Sequence, residues 1–390
     1  MPHRTLASLN NLSRWMIANH MARAAEKYPR YHYTLAALSS SAILEWGTQY
    51  LRHAFGPRHK FMVYENPIRD SGVYRMPASN SMCLAGDWGT GTKEAALVAA
   101  QMAKQSPTYT IHLGDIYYVG DKEEVYDNFL GLPNVWPIGS FGSFALSGNH
   151  EAYARFYGYY DTLLPRMGLT NPIGEPQGQQ ASFFCLENEH WQVIGLDNSY
   201  DSARILFPSR GLQKEQMDWL RKVIHPDKAL IFLSHHQYYS SFDVEYPKTA
   251  IQLASIIGVA KPVLWFWGHE HRLAIYGKYK APKGIPAFGR CVGHGGMPVE
   301  LARPLIRRNH RPLVLYDTRQ YNTPENIVVG MNGFVKLTFS ESLLFIHYYD
   351  LNGYCLGSEN WDSTYGKLEP RGVDLFKVLQ HADSVANAQQ

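Results

Sequence analysis

Five short stretches of this sequence place a polar side chain that could bind a metal directly after an apolar run. Each run is typical of a buried strand, and a glycine or another small residue follows it, so the backbone can turn there. One stretch, Gly268-His269-Glu270-His271, follows a run rich in tryptophan. Side chains two residues apart in an extended chain point to the same side, which suits a shared metal site. The candidate ligands after the five runs are Asp87, Asp115, Tyr118, Asn149, His235, His269 and His271.

These residue types favour a pair of transition-metal ions over a single ion. Carboxylate, amide and phenolate oxygens mixed with imidazoles suit iron, manganese or zinc. Seven donors exceed what one tetrahedral zinc needs, and they suffice for two metals that share a bridging carboxylate. Two such cations lower the pKa of a bridging water and stabilise the entering and leaving oxygens of a phosphoryl displacement. Chemistry of this kind would explain the residue types.

The elements that must position these residues alternate between strands and helices. Helices are predicted for Glu94 to Lys104, Lys214 to Ile224 and Lys248 to Ile257, between the apolar runs. Such alternation predicts a largely parallel, layered α/β sheet, in which functional groups collect outside the carboxyl ends of the strands. We therefore expect the five run ends to meet at one rim. Additional strands are predicted at Phe61 to Tyr64 and within Ala181 to Asp197.

The rest of the chain is predicted to consist of an extension and one large domain. Residues 1–60 are expected to form a helical N-terminal extension, and residues 61–380 the main domain. Within that domain, residues 298–332 are rich in arginine and proline and predict an irregular insertion. Residues 333–361 alternate in polarity and carry an Asn352-Gly353 turn, which predicts antiparallel strands that close a second sheet.

Composition narrows the classes of protein further. The formal net charge of +3 over 390 residues is too small to predict nucleic-acid binding. No apolar run approaches the length of a membrane span, and no signal peptide is evident, so a cytoplasmic location is the default expectation. Oligomeric state is left open by the sequence. The cysteines are scattered without paired spacing and predict buried free thiols, at Cys83, Cys185, Cys291 and Cys355.

The ordered motifs also carry a family resemblance. Gly-Asp-x-Gly, Gly-Asp-x-x-Tyr, Gly-Asn-His-Glu, a strand ending in histidine and Gly-His-x-His together resemble the calcineurin-like metallophosphoesterase superfamily over about Met82 to Trp361. The tyrosine three residues after Asp115, and Gly89 where other members have histidine, resemble its purple acid phosphatase branch. The resemblance implies a four-layer α-β-β-α sandwich with two mixed β-sheets, the metallo-dependent phosphatase-like fold.

The resemblance also implies a role for each candidate residue. The implied ligands are Asp87, Tyr118 and His271 for the first metal and Asn149, His235 and His269 for the second, with Asp115 bridging both. Iron is implied at the tyrosine site, and iron, zinc or manganese at the other. His150 is not a ligand in this pattern; it faces the substrate phosphate and acts as general acid.

Substrate contacts are less defined by the resemblance. His236 could contact the substrate or cap a loop, and His294 could do the same from its glycine turn. Plant-type purple phosphatases carry extra substrate histidines a little beyond the position of His235, and the loop Gln237 to Tyr246 contains none. The recognition of the leaving group is therefore not predicted by the motifs.

The function implied is that of a dinuclear metal-dependent phosphoester hydrolase that uses a metal-bridging hydroxide on a small-molecule phosphoester. The tyrosine favours a purple-acid-phosphatase-like phosphomonoesterase. A phosphodiesterase acting on nucleotides or lipid head groups with the same metal centre is one alternative. A catalytically silent scaffold on the same fold is another, although loss of ligands usually accompanies that fate and none is missing here.

Overall fold

The computed structural model describes residues 56–65, 71–132, 134–203, 209–297, 299, 309–322 and 328–375. In chain order the strands of this part are β1 (Val73–Arg75), β2 (Ser79–Ala85), β3 (Tyr109–His112), β4 (Gly142–Ala145), β5 (Gly168–Leu169), β6 (Phe184–Glu187), β7 (Trp191–Leu196), β8 (Ala229–Ser234), β9 (Val263–Trp267), β10 (Leu273–Tyr279), β11 (Ala287–Val292), β12 (Leu313–Tyr316), β13 (Gln320–Asn322), β14 (Val328–Gly330), β15 (Gly333–Ser340), β16 (Leu343–Asp350), β17 (Cys355–Thr364) and β18 (Lys367–Leu375). The α-helices are α1 (Lys93–Lys104), α2 (Lys122–Val125), α3 (Asn149–Tyr153), α4 (Lys214–Val223) and α5 (Lys248–Ile257). Shorter π and 3₁₀ turns follow α2 and α3, at Tyr126–Leu130, Gly158–Leu163 and Leu164–Arg166.

The strands form two mixed eight-stranded sheets. The first sheet has the order β1-β6-β7-β8-β9-β11-β10-β12, and the second has the order β18-β17-β16-β15-β2-β3-β4-β5. At the centre of the first sheet, β7, β8, β9 and β11 run parallel. In the second sheet β2, β3 and β4 run parallel, while β15 to β18 form the predicted antiparallel meander. Parallel neighbours end at the same edge, which is what brings the run ends together.

The main core lies between the two sheets. Leu84, Ile111 and Phe144 of the second sheet pack with Ile231 and Leu264 of the first in one buried apolar cluster. These positions alternate along their strands with side chains that face outward, because successive strand residues point to opposite faces. Each sheet therefore has a second apolar face that needs its own cover.

Helices supply that cover on both outer faces. Val98 and Met102 of α1 pack with Cys83 and Ala145 on the outside of the second sheet. Met217 and Leu220 of α4, with Ala250 and Leu253 of α5, pack against the outer face of the first sheet. Thr92 caps α1 by accepting a hydrogen bond from the Ala95 amide. The order helix, sheet, sheet, helix confirms the predicted four-layer sandwich.

Two predicted segments differ from the structure. Phe61 to Tyr64 forms no strand and pairs with no described strand; ring contacts hold it instead, since Phe61 stacks on Phe183 and Tyr64 on Trp219. The stretch 298–332, predicted to be irregular, contains three strands in its described part. One of them, β12, pairs with β10 and forms the edge of the first sheet.

The expected helical extension, residues 1–60, lies outside the described residues except for 56–60, where no helix is present. No helix in the described part of the chain is long and apolar enough to cross a membrane. All four cysteines are unpaired, as predicted; three are buried and Cys355 is half-buried.

Candidate metal centre

The two sheets deliver the candidate ligands to one edge. Asp87, Asp115 and Asn149 follow β2, β3 and β4 of the second sheet, whereas His235 follows β8 and the two histidines of the last motif follow β9 of the first. Contacts across the sheets join the two groups. The amide of His269 donates to Asp87 Oδ2 at 2.8 Å, and His235 Nε2 lies 3.2 Å from Asp115 Oδ2.

Three of these residues have a backbone conformation that is unusual for a side chain with a Cβ. Asp87, Asp115 and His269 have φ angles of 58°, 71° and 65°, in the left-handed region. Such conformations cost of order 1–3 kcal/mol each and persist where the surrounding structure imposes them. The carboxylate of Glu151 imposes one of them, because it accepts hydrogen bonds from the amides of Asp115 and Ile116 at 3.2 and 2.6 Å. Strain concentrated on the ligand residues indicates a functional site.

The imidazole of His235 shows that the centre needs a cation. Its Nδ1 lies 2.9 Å from the carbonyl oxygen of Leu113, which only accepts, so Nδ1 carries the hydrogen. In the neutral ring Nε2 is then a lone pair, yet it faces Asp115 Oδ2 at 3.2 Å and Asn149 Oδ1 at 3.2 Å. Three acceptors that face one another require a positive charge among them, either a second ring proton or a metal ion.

Charges in this cluster shift the pKa values strongly. Burial lowers the pKa of His235, but the charge and hydrogen bond of Asp115 outweigh it and raise the pKa to about 9. Burial raises the pKa of Asp115, but His235 and His150 hold it well below its ordinary value. Asp115 is therefore a carboxylate, with oxygens that face both sheets. A carboxylate that faces ligands of both prospective metals suits the bridging role implied for it.

The phenol in the centre belongs to Tyr117. Its hydroxyl lies 2.8 Å from Asp87 Oδ1, 3.3 Å from Asp115 Oδ2 and 3.1 Å from His271 Nε2. Burial, followed by the charges of Asp87 and Asp115, raises its pKa well above the ordinary value, so without a metal it is a protonated donor. A cation bound at this position would instead lower the pKa of the phenol and favour the phenolate.

Tyr118, the tyrosine assigned by the motif, lies in a different environment. Its amide donates to Glu124 Oε1 at 2.6 Å, its carbonyl oxygen faces His150 Nδ1, and its partly buried ring packs against the cluster of Tyr117, Met297 and Val329. In this structure the position expected for Tyr118 beside Asp87 and His271 is therefore taken by its neighbour. The motif contains two adjacent tyrosines, and sequence reasoning chose by spacing alone.

Asn149 and His150 are oriented by the start of α3. Asn149 Nδ2 donates to the hydroxyl of Tyr153 at 3.2 Å, which leaves Oδ1 facing His235. The amide of His150 donates to Asp115 Oδ1 at 2.9 Å, and its Nε2 lies 3.8 Å from Asp115 Oδ2. With 14% of its side chain exposed, His150 is more open than Asp115 at 1% and His235 at 0%.

The two candidate substrate histidines have different surroundings. His236 is fully buried beside the centre: its ring lies 4.5 Å from that of His269, Nδ1 is 3.0 Å from Ser199 Oγ, and Nε2 has no hydrogen-bond partner among the described residues. The imidazole of His294 instead faces the second sheet, since a Cβ on Gly333 would lie 2.9 Å from its Nε2. Burial lowers the pKa of His294 to about 4, although the charge of Asp317 opposes this shift.

The donor set fits metal ions. Ligand atoms of Asp87, Asp115 and His235 lie within 4.8 Å of one another, and so do ligand atoms of His235, His236 and His269. These two overlapping groups share His235, and the second includes His236, which the sequence did not nominate as a ligand. Two further candidate ligands contact members of these groups. Asn149 contacts His235 Nε2, and His271 contacts Asp87 Oδ1. Mixed carboxylate and imidazole ligands suit iron, zinc or manganese.

Residues 83–273 match the family model described as calcineurin-like phosphoesterase. No curated protein sequence matches the chain significantly. Among solved structures, the chain is similar to purple acid phosphatase PPD1 from yellow lupin (Lupinus luteus) seeds, with 17% identity and a TM-score of 0.48 over 73% of this chain and 54% of that one. The match thus spans about half the length of the lupin protein.

Two further solved structures have comparable similarity. One is GAP50, described as the anchor in the inner membrane complex of Plasmodium, with 14% identity and a TM-score of 0.44 over 79% of this chain and 93% of that one. The other is PhoD, with 11% identity and a TM-score of 0.46 over 76% of this chain and 72% of that one. The family model encloses every ligand-bearing strand end from Asp87 to His271. Residues 83–273 are therefore similar to calcineurin-like phosphoesterases, and they carry groups of ligand atoms that could hold metal ions.

Proposed function

We propose that this protein is a phosphomonoesterase of the purple acid phosphatase type. The observation that carries the proposal is the Tyr117 phenol between Asp87 and His271, at 2.8 Å and 3.1 Å. A phenolate beside a carboxylate and an imidazole favours a hard, highly charged ion, for which Fe(III) is the natural choice. Iron, zinc or manganese suits the second site.

In this proposal the ligands divide between the two ions as the superfamily pattern implies, with one exchange. The first ion is held by Asp87, Tyr117 and His271, and Asp115 is shared. The second ion is held by the remaining ligands, Asn149, His235 and His269. When bound, the two ions supply Lewis-acid polarisation of the phosphoryl oxygens and activation of water.

The other residues of the site orient the ligand atoms and supply a proton to the leaving group. Glu151 holds the Asp115 amide, and the Leu113 carbonyl fixes the tautomer of His235, so the ligand atoms are aligned before an ion binds. His150 has its Nδ1 occupied by the Tyr118 carbonyl. In its protonated form it can present Nε2–H to the leaving oxygen of the ester as general acid.

The test combines metal analysis with a substrate panel. The protein is loaded with iron and then with zinc or manganese, dialysed, and assayed for two metals per chain and for a phenolate-to-Fe(III) absorption band. Rates are then measured on 4-nitrophenyl phosphate and bis(4-nitrophenyl) phosphate. We expect two bound metals, the absorption band and faster hydrolysis of the monoester. A higher kcat/KM for the diester would contradict the monoesterase assignment and favour a phosphodiesterase.

A further inference from the structure

Arg210 places a positive charge beside the part of the centre formed by His236 and His269. Its Cζ lies 5.0 Å from the ring centroid of Tyr246. The Tyr246 ring in turn lies 5.4 Å from the His236 ring and 6.3 Å from the His269 ring. The charge of Arg210 is also one of the influences that, after burial and the two neighbouring imidazoles, lower the pKa of His236. Arg210 thus lies one aromatic ring away from His236 and from His269, a prospective metal ligand.

This arginine has no counter-ion among the described residues. Its Nε is buried and makes no hydrogen bond there. The nearby acids have other partners: Asp201 pairs with Arg58, and Glu245 pairs with Arg311. Arg210 is half-buried, and burying the Nε–H of a guanidinium without an acceptor is costly, so this arrangement favours an anion beside it.

The backbone around Arg210 is held in place. Its carbonyl oxygen accepts a hydrogen bond from Thr249 Oγ1 at 2.8 Å, at the start of α5. Leu212 exchanges two hydrogen bonds with the side chain of Gln252 on the same helix, at 2.8 and 2.9 Å. Because the segment that carries Arg210 is tied to α5 at two positions, its charge is positioned before a ligand arrives.

A second group without a partner points to the same ligand. His236 is fully buried, and its Nε2 makes no hydrogen bond with any described residue. In the tautomer in which the Ser199 hydroxyl, 3.0 Å away, donates to Nδ1, the ring hydrogen lies on Nε2. Arg210 Nε and His236 Nε2 are thus two buried nitrogens, on side chains that both contact Tyr246, without a hydrogen-bond partner in the described part of the chain.

We propose that Arg210 and His236 bind a second anionic group of the substrate, separate from the phosphoryl group that is hydrolysed. This inference rests on the proposed function and names its substrate class: phosphomonoesters whose leaving group carries a phosphate of its own. The reacting phosphoryl occupies the metal centre, and the second phosphate lies toward Tyr246. Arg210 is then a specificity-determining residue.

The experiment measures binding rather than turnover. Inorganic phosphate and methylenediphosphonate, which cannot be hydrolysed, are titrated calorimetrically into the metal-loaded protein. The variants are Arg210→Gln, Arg210→Lys and, as matched control, Arg221→Gln, which removes the same charge from an exposed arginine paired with Asp218 on α4. We expect Arg210→Gln to weaken diphosphonate binding about 10- to 100-fold and phosphate binding far less, because one charged hydrogen bond is lost. Arg210→Lys should restore part of the loss, and the control should match the wild type.

Two outcomes overturn the inference. Equal weakening of both ligands would mean that Arg210 serves the reacting phosphoryl, and unchanged diphosphonate binding would mean that it binds no substrate anion. Metal content and melting temperature are measured for each variant, and Arg210→Lys provides the comparison if Arg210→Gln does not fold. Failure of the proposed function is separate, since it would show as wild-type protein that binds no metals or hydrolyses no monoester.

Discussion

Replacing Tyr117 by phenylalanine removes one oxygen atom from the middle of the ligand cluster and leaves the ring in place. The matched change is Tyr118→Phe, one residue further along the chain. The two variants separate the assignment made from motif spacing, which selects Tyr118, from the geometry, which selects Tyr117. Both substitutions preserve the backbone groups, including the Tyr118 amide and carbonyl that hold Glu124 and His150.

The expected loss of metal affinity in Tyr117→Phe follows from the contacts of the Tyr117 hydroxyl. It lies 2.8 Å from Asp87 Oδ1 and 3.1 Å from His271 Nε2, both implied ligands of the first metal. Hydrogen bonds to charged groups contribute about 1.5–3 kcal/mol each, and 1.4 kcal/mol is tenfold in an equilibrium constant. Loss of one such interaction at a metal ligand therefore predicts an affinity for the first ion about 10- to 100-fold weaker, in the range found when groups around a metal are altered.

The assay is equilibrium dialysis against a graded chelator, followed by metal analysis and a visible spectrum of the iron-loaded protein. Tyr117→Phe should lose the first ion at a lower chelator concentration and should lack the phenolate band. Tyr118→Phe should retain both properties. The reverse result, with the band and the ion lost only in Tyr118→Phe, would refute the reasoning from geometry and restore the assignment by spacing.

Three other changes test the site and the fold. Asp115→Asn should lose both metals and nearly all activity, because one carboxylate faces both sets of ligands; full metal occupancy with a normal rate would contradict its bridging role. His150→Ala should keep both metals, measured by metal analysis, and lose about 10²- to 10⁴-fold in kcat, as expected for a general acid; loss of metal would instead make it a ligand. Glu359→Gln should lower the free energy of unfolding in urea by about 3–5 kcal/mol, because it leaves the buried Arg290 guanidinium without its carboxylate partner across the two sheets; a change under about 1 kcal/mol would show that the pair contributes little to stability.

The positions of the candidate metal ligands were predictable because their cause is local. Asp87, Asn149 and His235 each follow an apolar run directly, and the ends of parallel strands lie at one edge of a sheet. The four layers followed from the family resemblance, and the alternation of strands and helices alone predicted a layered α/β fold. Both outer apolar faces and the shared core agree with those expectations.

Whether Tyr117 or Tyr118 faces the centre depends on contacts outside the motif. The carboxylate of Glu124 accepts hydrogen bonds from three successive amides, those of Tyr118, Val119 and Gly120, at 2.6, 2.8 and 2.8 Å. Asn128 Nδ2 donates to the Tyr117 carbonyl at 2.6 Å. These residues belong to the following helical segment, so the direction of each tyrosine depends on contacts that motif spacing does not encode.

His294 shows the same limit from the other side of the centre. Its glycine turn does approach the site, because the amide of Gly295 donates to the Gly86 carbonyl at 3.0 Å. The His294 carbonyl, however, accepts the amide of Gly333 at 2.8 Å and the side chain of Asn332 at 3.0 Å, and its ring lies against the second sheet. A histidine in a turn near a site is thus not evidence of substrate contact until the pairing of that turn is known.

The glycines of the motifs have a reason beyond freedom of the backbone. A Cβ on Gly148 would lie 2.0 Å from Asp115 Oδ1, and a Cβ on Gly268 would lie 2.7 Å from Asp87 Oδ2. Each of these glycines therefore makes room for a carboxylate that comes from a different strand, and Gly268 does so for a strand of the other sheet. A glycine in one motif is therefore required by the carboxylate that another motif supplies. This mutual dependence explains why five short patterns, each weak by itself, together specify one centre.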